Sequence, residues 1–103
     1  MNQADLRPFF SDSASLSRST TLLRESGLHV ILLHLKSGEQ IPEHQASGAI
    51  SVHCLQGKVS FTAEKDTVEL AAGVLISLPA KRPHSLLARQ DSLVLVSRTE
   101  SAA

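Results

Sequence analysis

A chain of 103 residues has the size of one domain, and ten basic against ten acidic residues leave no charge excess to hold a nucleic-acid backbone or an anionic membrane. Phe9, Phe10 and Phe61 are the only residues of the Phe, Tyr and Trp class, so bases find no stacking platform and the core must be aliphatic. Cys54, the single cysteine, rules out an intramolecular disulfide and a paired-cysteine zinc site and points to a reducing, cytoplasmic setting.

The opening MNQADLRPFF lacks the basic and continuous apolar runs of a secretory signal, and no window approaches a membrane-spanning length. Ser and Thr then dominate SDSASLSRSTT, a composition that buries little apolar surface and bonds readily to its own backbone. Residues 1–21 therefore read as an N-terminal arm and 22–103 as a single domain. Leu6, Phe9 and Phe10 are the residues that would pin the arm to that domain or to a partner subunit.

From Leu22 onward, short β-rich runs alternate with turn signals at a spacing that suits a sandwich or barrel. LHVILLHLKSG reads as a strand ending at Ser37-Gly38, and AISVHCLQG as another closed by Gly57. KVSFTAEKDTVEL is a hairpin: Val59, Phe61 and Ala63 alternate with polar residues, and Glu64-Lys65-Asp66 turns the chain towards Val68 and Leu70. AAGVLISLPAKRPH is led by Gly73 and stopped by Pro79, which cannot donate to a ladder. The unbroken Leu93-Val94-Leu95-Val96 run calls for a strand covered on both faces, either inside the barrel or across a subunit boundary. The expectation is an all-β chain.

Chemistry is concentrated in five histidines, His29, His34, His44, His53 and His84. Gly38 is followed after five residues by His44, and Gly57 closes the next strand. Gly73 is likewise followed after five residues by Pro79, with His84 beyond it. This layout resembles the two sequence motifs of the cupin superfamily, over roughly Leu28 to Arg98. The resemblance implies a double-stranded β-helix, or jelly-roll barrel, of the small single-domain type, with a cavity opening near His44 and His84.

The chain departs from the motifs where metal ligands are expected. Ala46 holds the second histidine's place, Ile50 the glutamate's place, and Lys81 the place of the inner glycine of the second motif. Cupin metal ligands face one cavity, so the expected metal ligands reduce to His44 and His84, and a divalent ion (Zn, Fe, Mn or Ni) would be weakly held or completed by something else. Residues two apart on a strand share a face, which places Ile50, Val52 and Cys54 together on the cavity side if the register holds, with the Cys54 thiol as a third donor or as a small apolar filler. His53 then faces outward, and the spacing of His29 and His34 puts them on opposite faces. Glu39 and Glu43 near His44, and Lys81-Arg82 near His84, read as charged turns, with the cations able to attract an anion.

The expected ligand pocket is therefore His44, Ala46, Ile50, Val52, Cys54 and His84. Three functions remain open: a module binding a small molecule and a divalent metal in the barrel, a metal-dependent oxygenase or isomerase, and a non-catalytic structural or interaction dimer with a sealed cavity. Cupin barrels commonly dimerise by sheet contact, so a homodimer is expected, with neither nucleic acid nor membrane as partner.

Overall fold

The computed structural model describes residues 1–11 and 18–100. Among the described residues a short helix α1 (Arg7–Ser11) precedes nine strands: β1 (Ser19–Glu25), β2 (Leu28–Leu35), β3 (Gln40–His44), β4 (Ile50–Gln56), β5 (Lys58–Ala63), β6 (Asp66–Ala71), β7 (Leu75–Leu78), β8 (His84–Ala88) and β9 (Ser92–Thr99). They form a five-stranded sheet in the order β1-β2-β9-β4-β7 and a four-stranded sheet in the order β3-β8-β5-β6. Every pairing is antiparallel, and apart from the β1–β2 and β5–β6 hairpins each strand is followed by one in the other sheet, which is the jelly-roll arrangement. No helix among the described residues is long and apolar enough to cross a membrane.

Register explains the faces. Ile31 pairs with Val96 and Leu33 with Val94, so these four point into the space between the sheets, while Leu32 and His34 point outward with Leu95 and Leu93. The apolar run of β9 is accounted for because β9 lies between β2 and β4 and contributes to both faces of its sheet. On the smaller sheet, Val59 pairs with Leu70 and Phe61 with Val68 across a two-residue turn in which Glu64 takes φ 57°.

Three elements differ from the sequence expectation. β1 begins at Ser19, inside the expected arm, because Thr and Ser satisfy the alternation of an edge strand as well as that of a loop. Residues 12–17 of that arm lie outside the described residues. β3 and β8 arise from stretches with little apolar alternation: Pro42 interrupts the β3 ladder, whose register shifts between Ile41 and His44, and β3 survives as an edge strand paired only to β8.

The two ends of the barrel differ. Where β4 runs into β5, Leu35, Cys54, Val59, Leu70, Ala88 and Val94 fill the interior at 2% exposure or less. Gly57 makes that junction possible: its φ is +85°, and a Cβ there would stand 2.3 Å from the Ser92 hydroxyl oxygen. The opposite end, where β3 finishes and β4, β8 and β2 begin, is not filled.

Candidate functional site

His44 is the last residue of β3 and His84 the first of β8, and the β3–β8 ladder sets them opposite one another. Their ring centroids are 4.3 Å apart with planes inclined by 61°, an edge-to-face pair. His84 is buried and stacks on Phe61 at 5.7 Å, whereas His44 is exposed at the mouth.

Both imidazoles are held by the same device. The His44 Nδ1–H donates to the Pro42 carbonyl oxygen at 2.9 Å, and the His84 Nδ1–H donates to the Arg82 carbonyl oxygen at 2.9 Å. A carbonyl can only accept, so each Nδ1 must carry a hydrogen, and in the neutral ring the Nε2 keeps a lone pair. Burial lowers the pKa of His84, and the neighbouring His44 lowers it further against the opposing effect of the Arg82 carbonyl. With Nδ1–H committed to a carbonyl, each neutral ring has Nε2 left as an acceptor or ligand nitrogen.

The turn into β8 is under backbone strain. Lys81 adopts φ 64°, a conformation that favours glycine, and its N–H donates to the Ala46 carbonyl at 2.9 Å. Lys81 stands where the motif's inner glycine is expected, and its positive φ is one that glycine adopts without steric cost. The neighbouring Arg82 pairs with Glu64 at 2.7 Å and does not line the cavity.

A cavity of about 100 Å³ lies between the sheets at this end. His44, His84, Ile41, Phe61 and Leu86 wall it from the smaller sheet. Ile50, Val52, Ile31, Leu33, Val96 and Arg98 wall it from the larger one. Of the six residues expected in a pocket, His44, Ile50, Val52 and His84 are brought together here.

Ala46 and Cys54 are not. Ala46 lines a separate depression of about 90 Å³ with Ser47, Arg98, Thr99 and Glu100, because the β3–β4 connection carries it over the rim. Cys54 does point inward, but two residues beyond Val52 the interior is already filled: the thiol is fully buried, its Sγ–H donates to the Gln56 carbonyl at 3.4 Å, and burial raises its pKa. It is a small apolar filler of the closed end.

His53 faces outward, paired with Leu75 of β7, and His34 is buried on the outer face of the larger sheet. His29 is buried on the inner face, where its Nδ1 accepts from the Arg98 guanidinium at 2.8 Å and its Nε2–H donates to the Thr21 hydroxyl at 3.0 Å. Sequence reasoning missed Arg98. The signal was present, since Arg98 continues the two-residue phase of Val94 and Val96 and had to share their inward face. Among the described residues no group of three or more His, Cys, Asp or Glu side chains comes together as a metal site.

Comparison with known proteins agrees with this architecture. A cupin domain family model matches residues 31–96, the span from the inner face of β2 to that of β9. A conserved Streptococcus pyogenes protein of unknown function has a similar structure, with 29% identity, a TM-score of 0.77, and coverage of 82% of this chain and 75% of that one. A cupin superfamily protein from Desulfitobacterium hafniense matches at 20% identity and TM-score 0.82, covering 98% and 97%. KdgF from a Halomonas species matches at 19% identity and TM-score 0.74, covering 81% and 79%. No curated protein matches the chain in sequence. With the motif frames, the jelly-roll sheets and the family match in agreement, the chain belongs to the cupin domain family.

Proposed function

We propose that this cupin is a binding module for a small molecule held at the open end of the barrel. The observation that carries the reading is the contrast inside one cavity: mainly aliphatic walls, and at the mouth two imidazoles whose Nδ1 atoms are already satisfied by backbone carbonyls. Ligand sites are commonly built this way, with apolar burial for affinity and a few fixed polar atoms for orientation. Ile50, at the place of the motif's glutamate, puts hydrocarbon where polar capacity is expected, and Val52 beside it is apolar too, which suits an apolar ligand body. The buried, free Cys54 thiol is consistent with a reducing compartment.

A divalent ion is the second reading, supported by the matched carbonyl anchors, an arrangement typical of metal-binding imidazoles. The donor set nevertheless does not fit a resident catalytic ion. Two nitrogens fall short of three protein ligands, and Ile50, Phe61 and Leu86 offer no donor beside them. The oxygenase or isomerase alternative has no further support, and no reaction step is derived through a metal. An ion would depend on the ligand or water for its remaining positions.

A homodimer formed through the outer face of the larger sheet is part of the proposal, supported by Leu75 at 61% exposure opposite His53. Light scattering checks it: a mass of one chain at micromolar concentration contradicts it.

Methyl-detected NMR during titration with small aliphatic fragments tests the binding reading. Saturable shifts at Ile31, Ile50 and Leu86, with Leu35 and Leu70 unmoved, are expected; no saturable shift at the cavity contradicts it. For the metal reading, elemental analysis uses protein purified without a metal-affinity tag, beside His44→Ala and His84→Ala. Stoichiometric metal lost in both variants supports an ion, and its absence together with unchanged thermal stability on adding divalent cations removes that reading.

A further inference from the structure

The polar inventory of the cavity is unusually one-sided at each wall. On the smaller sheet, His44 and His84 have committed their Nδ1–H groups to Pro42 and Arg82, leaving Nε2 acceptors. On the larger sheet, Arg98 brings a guanidinium, which carries only donors.

That guanidinium is positioned rather than adrift. One of its nitrogens donates to His29 Nδ1 at 2.8 Å, and His29 is tied in turn to the Thr21 hydroxyl at 3.0 Å. Because a guanidinium cannot accept, His29 Nδ1 must be unprotonated, and the ring is neutral with its hydrogen on Nε2. Burial and the nearby Arg24 and Arg98 charges lower its pKa in the same sense, against the opposing effect of the Glu100 carboxylate. A neutral imidazole orients Arg98 without cancelling its charge. Among the described residues no carboxylate lies within salt-bridge distance of Arg98 or of Arg24, while Arg7, Arg18, Arg82 and Arg89 each have one, and of the two unpaired arginines Arg98 lines the cavity. Arg98 borders an apolar cavity without a salt-bridged carboxylate, so an anion beside it inside the cavity would be stabilised; Glu100 shares the rim depression with Arg98 and does not line the cavity.

From this placement we infer that the cavity takes a short aliphatic carboxylate bearing a hydroxyl or amino group, its carboxylate on Arg98 and its O–H or N–H directed to the His44 and His84 Nε2 atoms. The inference rests on the reading of the cavity as a small-molecule site and specifies the ligand class. Planar carboxylates suit the guanidinium fork, which binds them through two parallel N–H···O contacts. Size follows from the volume: a cavity of about 100 Å³ is smaller than one of about 150 Å³ that holds benzene, so the buried carbon body is roughly four carbons. The ligand's donor satisfies imidazole nitrogens that an alkyl group would leave unpaired, which is how the site rejects the plain acid.

The test measures dissociation constants by calorimetry for 2-hydroxybutyrate, 2-aminobutyrate, butyrate and 2-butanol on the full chain, with Arg98→Gln and Arg98→Lys. Expected is saturable binding of the hydroxy or the amino acid, the two arms showing which donor is used. Butyrate and 2-butanol should each bind at least tenfold more weakly. Arg98→Gln should lose at least tenfold for the acids and nothing for 2-butanol, and Arg98→Lys should restore only part. If 2-butanol binds as well as the acids, the carboxylate assignment is overturned while the small-molecule reading stands. If none of the four binds, both fall for ligands of this size. The wild-type ranking decides the matter even if an Arg98 variant fails to fold.

Discussion

The closed and open ends of this barrel are built from the same strands with opposite priorities. At the closed end Leu35, Val59, Leu70 and Val94 leave no space, and even the thiol of Cys54 is fully buried. At the open end the continuation of those strands supplies Ile31, Ile50, Phe61 and Leu86 around empty volume, with His44, His84 and Arg98 at its polar points. A protein of this size depends on a small core, so leaving part of it unfilled costs stability. On the proposed reading, stability is concentrated at one end and ligand recognition at the other.

Side-chain truncation should expose that division most strongly. Leu35→Ala is expected to cost about 3 kcal/mol in urea unfolding, and Ile50→Ala less, because Leu35 is packed on all sides whereas Ile50 already borders a cavity. Equal losses at the two positions would break the comparison.

Titration separates the ends as well. His29 and His84, both towards the open end, have pKa values lowered from 6.5, so the unfolded chain binds more protons below that point. Their contribution to stability is present above pH 6.5 and is lost as pH falls through their folded values. Cys54, at the closed end, has its pKa raised from 9.0, so its contribution is present below pH 9 and lost as pH rises through the folded value. Melting temperature against pH should fall on both sides, and His84→Gln should flatten only the acid side; an unchanged acid limb would contradict the assignment.

Smaller effects sharpen the account of the site's frame. Lys81→Gly relieves a positive φ and should stabilise the protein by about 1 kcal/mol in the same urea assay, whereas a loss would show that the Lys81 side chain matters more than its backbone. His44→Ala should change stability by no more than about 0.5 kcal/mol, since the ring is exposed at the mouth. A larger loss would move His44 from the recognition end into the folding core.

Much of this was legible in the sequence, for identifiable reasons. Glycines at 38, 57 and 73 and the apolar alternation of β5 mark strand ends and faces by steric rules that tertiary context rarely overrides. The opposed faces of His29 and His34, and the pairing of His44 with His84, follow from strand period and motif frame. β3 was not legible, because Pro42 breaks its alternation and only the ladder with β8 reveals it. Ala46 and Cys54 show the limit of face arguments: period two says which side a residue faces, not whether that side is cavity, rim or filled core at that height. Arg98 was hidden by convention, since a charge at the end of an apolar strand is ordinarily read as the strand's exit into solvent.

Backbone carbonyls hold both mouth imidazoles with Nδ1 protonated, which leaves Nε2 without a hydrogen in the neutral rings. Long-range proton–nitrogen NMR of the histidine side chains at pH 8 tests it directly. The account predicts protonated Nδ1 and unprotonated Nε2 for both His44 and His84, with the opposite tautomer at His29. A hydrogen on Nε2 of either mouth imidazole would contradict it.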